Sequence, residues 1–143
     1  MNRRTPLLAL LCATFLVASH AQSTLATSQK KHKVVMQVSD AEPAKWNLAL
    51  NNAKNVQEEL GANKVDIEIV AYGPGIGMLK LDSVANSRVA EAAKAGISIV
   101  ACENTMRNLK LSRDEMNPVA SYVPAGVVQL MARQSEGWAY IRP

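Results

Sequence analysis

The chain has 143 residues, a length typical of one domain, and its 16 Lys and Arg residues outnumber 12 Asp and Glu residues. Two of the positive charges, Arg3 and Arg4, belong to an N-terminal segment with the pattern of a removable signal, so the remaining surplus is small. Domains that bind nucleic acids have a pronounced surplus of positive charge. The small surplus here therefore argues against a nucleic-acid partner.

Residues 1–21 have the pattern of a signal peptide. Arg3 and Arg4 form a basic start, residues 7–18 are apolar, and Ser19 and Ala21 stand where a signal peptidase reads small side chains. The apolar run is shorter than the roughly 20 residues of a membrane span. We therefore predict a periplasmic or secreted protein that begins at Gln22, with no stable membrane insertion after signal removal.

A flexible, polar lead-in is predicted over residues 22–32, followed by one α/β domain over residues 33–143. Apolar runs alternate with amphipathic segments along this domain, which favours parallel strands joined by right-handed helical crossovers. The predicted strands cover residues 34–39, 65–72, 97–101, 119–123 and 138–141. The predicted fold is a three-layer α/β/α sandwich.

Capping and helix-breaking residues mark the predicted helix ends. They are Pro43 and Gly61 for the first helix, Asp82 or Ser83 for the second, Asn104 or Thr105 for the third, a Ser112–Glu115 capping box, and Pro124 for the last. Helical spacing also predicts the apolar face of the second helix, which contains Val84, Ala85, Val89, Ala92 and Ala93. The last helix carries Val127, Val128, Leu130 and Met131.

Cys102 stands where the third predicted strand meets a helix. Ligands collect at the carboxyl ends of parallel strands, and a helix N-terminus lowers the pKa of a thiol. Because Cys12 lies in the signal peptide, Cys102 is the one thiol of the predicted mature chain, which excludes an internal disulfide. Three interpretations stay open: a sulfur-accepting nucleophile, a redox sensor that forms an intersubunit disulfide, and a packed thiol.

A glycine-rich loop lies at the same predicted edge as Cys102. Gly73, Gly75 and Gly77 can present backbone amides to a ligand, although a tight turn explains the same glycines. The loop is neither a dinucleotide fingerprint nor a P-loop. These glycines are therefore candidate ligand-binding residues.

The helix after Cys102 supplies the other candidates. Asn104 and Thr105 stand at its start and would support a thiolate electrostatically. Arg107, one turn later, is a candidate contact for an anion, although exposed arginines are common on helices. Glu103 would oppose ionisation of the thiol if its carboxylate lay near.

No pattern indicates metal or hydrolytic chemistry. The sequence shows no metal-ligand spacing, no carboxylate pair in a predicted cleft and no Ser-His-Asp set. The one histidine of the predicted mature chain, His32, falls in the lead-in. We therefore predict no metal and no cofactor. The apolar and aromatic C-terminal run is typical of either core or a subunit interface.

Three separated motifs resemble the DsrE/DsrF-like family: residues 96–107, residues 72–76, and residues 123–127 with 134–141. The resemblance implies a compact α/β fold with a five-stranded, mainly parallel sheet. It also implies homotrimers or hexamers and, for some members, sulfur relay through a cysteine persulfide, for which Cys102 is the matching residue. The export signal is a departure from the cytoplasmic relay proteins.

The resulting hypothesis is an exported sulfur carrier that loads sulfur on Cys102 and exchanges it with a donor or acceptor protein. A transfer protein is favoured over a turnover enzyme because no general acid–base pair is visible. The alternative is a non-catalytic, oligomeric module for assembly or small-ligand binding, in which Cys102 is only packed. Exposure of the thiol distinguishes the two.

Overall fold

The computed structural model describes residues 30–143, which form a five-stranded sheet with helices on both faces. The signal peptide predicted over residues 1–21 lies outside the described residues. The strands are β1 His32–Val38, β2 Val65–Ala71, β3 Ser98–Cys102, β4 Ser121–Val123 and β5 Ala139–Ile141. Their order across the sheet is β4-β3-β2-β1-β5, and each neighbouring pair is parallel. The predicted α/β class and parallel sheet are confirmed.

The connections between the strands are mostly helical, as parallel pairing requires. The α-helices are α1 Pro43–Leu60, α2 Asn86–Lys94, α3 Glu103–Asn108 and α4 Gly126–Ser135, and 3₁₀ turns cover Gly73–Leu79 and Arg113–Glu115. Within residues 30–143, no helix combines the length and the apolar character that crossing a bilayer demands.

Alternating strand side chains build two separate cores. On one face, residues such as Met36, Ile69 and Ile99 pack with α1 and α2 in the larger core. On the other face, a smaller cluster joins strand residues to α4. It contains Val35, Val70, Val100 and Leu130. The sheet therefore lies between a thick helical layer and a thin one, which agrees with the predicted three layers.

Several predicted boundaries are confirmed. Pro43 occupies the first turn of α1, and Gly61 ends that helix with a φ of 92° and an amide bonded to the carbonyl of Gln57. A left-handed backbone of this kind suits glycine because it has no Cβ. The capping box of Ser112 and Glu115 is also present.

The predicted start of α3 is wrong by one or two residues. Cys102 itself is the N-cap, and the helix begins at Glu103. Asn104 and Thr105 have side chains suited to capping, but these side chains bond elsewhere. The side-chain oxygen of Asn104 accepts from Arg107, and the Thr105 hydroxyl accepts from the amide of Gly73. For Thr105, a contact that is distant in sequence therefore overrides the local capping preference.

The second helix also begins later than predicted. Ser83 accepts the amide of Ala85 within a turn, and α2 starts only at Asn86. Val84, predicted to face the core, therefore lies before the helix with 79% of its surface exposed, whereas Val89 is fully buried.

The apolar side chains of α4 are divided between the core and the surface. Leu130 is buried, whereas Val127, Val128 and Met131 are exposed. The face that meets the sheet follows the spacing i, i+3, i+4, i+7 and includes two polar residues. Its members are Gly126, Gln129, Leu130 and Arg133.

Candidate functional site

Cys102 lies at the carboxyl end of β3, on the sheet face that α4 covers. Its side chain is buried, with 4% of its surface exposed. The backbone N–H of Gly126, in the first turn of α4, donates to its sulfur at 3.2 Å. The Thr105 hydroxyl and the amides of Asn104 and Thr105, in the first turn of α3, also lie near the sulfur. The sulfur therefore lies between two helix starts, and the start of α4 donates a hydrogen bond to it.

These contacts act on the ionisation of the thiol in opposite directions. Burial disfavours the charged thiolate and raises the pKa of Cys102. The donor groups near the sulfur, first the Thr105 hydroxyl and then the Gly126, Thr105 and Asn104 amides, favour the thiolate. These donor groups prevail, so the pKa of Cys102 is lowered from its ordinary value of 9.0. A lowered pKa raises the thiolate fraction, and the thiolate is the nucleophilic form.

Gly126 was not identified from the sequence, although its position next to Pro124 and Ala125 after β4 places it at the same sheet edge. A Cβ at this position would stand 3.0 Å from the Cβ of Tyr72 and 3.3 Å from that of Cys102. Only a residue without a side chain allows α4 to approach the thiol this closely without displacing a neighbour.

Gly73 and Thr105, both predicted site residues, are brought together beside Cys102. The amide of Gly73 donates to the Thr105 hydroxyl oxygen at 2.8 Å. Because that oxygen accepts from Gly73, the hydroxyl proton is free to point at the sulfur. The structure thus joins the glycine loop to the thiol through one threonine side chain.

Gly75 and Gly77 make packing contacts on a different side of the loop. A Cβ on Gly75 would lie 2.2 Å from the carbonyl oxygen of Val38, and one on Gly77 would lie 3.2 Å from the ring of Trp46. Close approach to β1 and α1 explains both glycines without a ligand. Their role in ligand binding stays a prediction.

The charged residues of α3 lie at the surface. Arg107 is exposed and donates to the side-chain oxygen of Asn104. Glu103 pairs with Arg113 at 2.5 Å, so its charge is compensated next to the thiol. The predicted opposition of Glu103 to ionisation is therefore weakened by its partner. Anion contact by Arg107 stays a prediction.

A shallow cavity of about 420 Å³ opens beside the loop and α3. It is lined by Gly73, Pro74, Thr105, Asn108 and Leu109. Cys102 does not line it, but Thr105 borders both the cavity and the sulfur. Among residues 30–143, no group of three or more His, Cys, Asp or Glu side chains is arranged to hold a metal ion.

Replacing Thr105 by valine removes the hydroxyl and should raise the pKa of Cys102, because a donor to the thiolate is lost. Thr105→Ser keeps the hydroxyl and is the matched control. The pH profile of the alkylation rate with iodoacetamide should shift to higher pH in the valine variant and not in the serine variant. Coincident profiles for the two variants would show that the hydroxyl does not act on the sulfur.

The same lowered pKa has a consequence for stability. Ionisation of Cys102 stabilises the folded state fully above pH 9.0, the ordinary thiol value, and this stabilisation is lost as pH falls through the folded pKa. The free energy of unfolding, compared between the two Thr105 variants, should therefore diverge as pH rises.

Similar solved structures share this fold. MTH1491 from Methanobacterium thermoautotrophicum, a protein of unknown function, is 34% identical with a TM-score of 0.76, covering 79% of this chain and 100% of its own. BT1422 from Bacteroides thetaiotaomicron, a conserved protein of unknown function, is 16% identical with a TM-score of 0.61, covering 78% and 94%. The ychN protein from E. coli is 9% identical with a TM-score of 0.59, covering 80% and 99%. The last two support the fold alone.

No curated protein matches this chain. The family comparison, in contrast, covers the whole sheet and the residues around Cys102. Residues 31–143 match the DsrE/DsrF-like family. The chain therefore belongs to the DsrE/DsrF-like family, which is associated generally with sulfur relay.

Proposed function

We propose that this protein carries sulfur as a persulfide on Cys102 and passes it to a partner protein. The observation that supports the proposal is the position of the Cys102 sulfur between the starts of α3 and α4, where the Gly126 amide donates a hydrogen bond to it and its pKa is lowered. These donors favour a thiolate, and a thiolate is the form that attacks sulfane sulfur. Membership of a family associated with sulfur relay agrees with this chemistry.

Loading is a thiolate exchange. The Cys102 thiolate attacks the outer sulfur of a donor persulfide, and a new S–S bond forms as the S–S bond of the donor breaks. The donor leaves as a thiolate with the electron pair of that bond, while the outer sulfur and its proton stay on Cys102. Delivery repeats the exchange with an acceptor thiolate as the nucleophile.

Such exchange suits a carrier more than a turnover enzyme. Nucleophile and leaving group are both thiolates, so the step needs no general acid–base pair. The same donors that favour the thiolate of Cys102 also favour it as the leaving group during delivery. The roles of Gly73, Gly75, Gly77, Asn104, Thr105 and Arg107 in contacting a donor molecule belong to this proposal.

Access to the sulfur requires motion in this proposal. The side chain of Cys102 has 4% of its surface exposed, and Gly126 lies directly against it. A donor sulfur reaches Cys102 when the N-terminal end of α4 moves away from Tyr72. The partner protein that exchanges sulfur would therefore contact α4.

A second function is favoured by the burial of Cys102, which a packed thiol predicts, and by an exposed apolar surface on α4. Val127, Val128 and Met131 form an exposed apolar stripe on α4, with 51%, 61% and 60% of their surfaces exposed. Such a stripe is typical of a protein–protein interface. The alternative function is a non-catalytic, oligomeric module for assembly or small-ligand binding, in which Cys102 is only packed. In a trimer or hexamer, other copies of this chain would cover the stripe.

Export is also proposed. It is supported by the basic start, apolar run and small residues of the segment 1–21, all of which are features of the sequence. The N-terminal sequence of the protein recovered from the periplasm or the medium should begin at Gln22. Recovery of the uncleaved chain from the cytoplasm would contradict export.

Polysulfide or a small-molecule persulfide should add one sulfur atom to the protein, and a reductant should remove it. Intact-mass spectrometry measures the adduct. Cys102→Ser should show none while keeping a wild-type circular dichroism spectrum, because serine is close to cysteine in size. An adduct that persists in the serine variant, or no adduct in the wild type, would contradict the carrier proposal.

Val128→Glu should reduce the assembly to smaller species if α4 lies between copies of this chain, because a charge would be buried there. Val84→Glu, at a second exposed valine, is the matched control. Light scattering measures the mass of each. A monomeric wild type, or an oligomer unaffected by Val128→Glu, would contradict assembly through α4.

A further inference from the structure

A buried carboxylate fastens α4 to the sheet. Glu68, in β2, has 2% of its surface exposed and faces the underside of α4. Gln129 donates to one carboxylate oxygen at 2.7 Å, and Arg133 donates to the other through Nε at 3.1 Å and Nη2 at 2.7 Å. Both oxygens of Glu68 are therefore bonded to side chains of the same helix.

One large buried apolar side chain of α4 accompanies this polar anchor. Leu130 packs against the sheet, but the stripe of Val127, Val128 and Met131 points away from it. A buried ion pair loses much of its stabilisation when its geometry changes, because neither charge is then compensated. Glu68 therefore restricts where α4 can lie along the sheet.

The anchor and the sulfur contact lie on one face of one helix. Gly126, Gln129 and Arg133 are spaced i, i+3 and i+7, and the ten residues of α4 form a rod of about 15 Å. Because a helix of this length moves as a unit, fixing its second half also fixes its first turn. The distance of 3.2 Å between the Gly126 nitrogen and the sulfur of Cys102 thus depends on Glu68.

We propose that Glu68 is a positioning residue for Cys102: through Gln129 and Arg133 it holds α4 so that the Gly126 amide lies against the sulfur. The inference deepens the proposed function, since it concerns the reactivity of the same thiol. Glu68 itself does not touch the reacting atom. Its effect passes through the position of the helix and is expressed in the ionisation of Cys102.

The effect of Glu68 on the ionisation of Cys102 can be distinguished from the effects of other titratable groups near the thiol. Tyr72, which directly follows β2, lies with Cys102 against Gly126, and burial raises its pKa from 10.0, so it stays neutral over the range in which the thiol ionises. On α3, Glu103 is paired with Arg113, and Arg107 is exposed. Tyr122 in β4 lies beneath the guanidinium of Arg113, 4.4 Å from its ring centroid. A change at Glu68 leaves all of these groups in place.

The test is the pH profile of alkylation by iodoacetamide on the full mature chain. Glu68→Gln keeps the size of the side chain but removes its charge, and its amide nitrogen cannot accept a hydrogen bond from α4. At pH 7 the alkylation rate, relative to the plateau at high pH, should fall roughly threefold, the size of one helix-terminus interaction. The matched control is Glu136→Gln, which removes the exposed second partner of Arg133, 2.9 Å away, and should leave the profile unchanged.

A milder variant keeps the proposal testable if Glu68→Gln does not fold. Gln129→Ala removes one of the bonds to Glu68 and should shift the profile in the same direction by a smaller amount. Profiles that coincide with the wild type in the folded variants would overturn the proposal, as would an equal shift in Glu136→Gln. The assay uses no sulfur donor, so a wild type that fails to load sulfur would reject the carrier function alone.

Discussion

The hydrogen bond from the backbone of Gly126 to the sulfur of Cys102 joins the last helix to the carboxyl edge of the sheet. It depends on the absence of a side chain at position 126, where a Cβ would crowd Tyr72 and Cys102. The same helix face then places Gln129 and Arg133 on Glu68. One face of α4 thus contacts a sulfur and a carboxylate. Val127, Val128 and Met131 of the same helix point outward.

Cys102 combines two properties that usually oppose each other in proteins. A buried thiol is normally inert, whereas a thiol at a helix start is normally accessible and reactive. Here the side chain is covered, yet the donor groups at two helix starts outweigh the effect of burial on its pKa. In the carrier proposal, the cover slows exchange of a bound sulfur with small thiols, and a partner that displaces the cover makes the exchange faster.

Most of the sheet could be predicted from the sequence because parallel strands are continuous apolar runs, and Pro43 and Gly61 mark the ends of α1 by local chemistry. The face of α4 that meets the sheet could not be predicted, because an apolar stripe has the same spacing whether it packs on the core or on another protein surface. Gln129 and Arg133 are half-buried only because Glu68 lies 61 and 65 residues earlier in the chain. Likewise, Thr105 favours capping locally, but its hydroxyl accepts the amide of Gly73 instead. Cys102 itself could be singled out because the strand and helix patterns meet there.

The pairing of β5 with β1 brings the two ends of the described chain to one edge of the sheet. Val34 lies beside Ala139, and Tyr140 bonds to Gln37 across a separation of 103 residues. This pairing joins residues separated by nearly the whole described chain, and a contact of such high sequence separation forms slowly. The edge strand therefore closes the sheet late in folding.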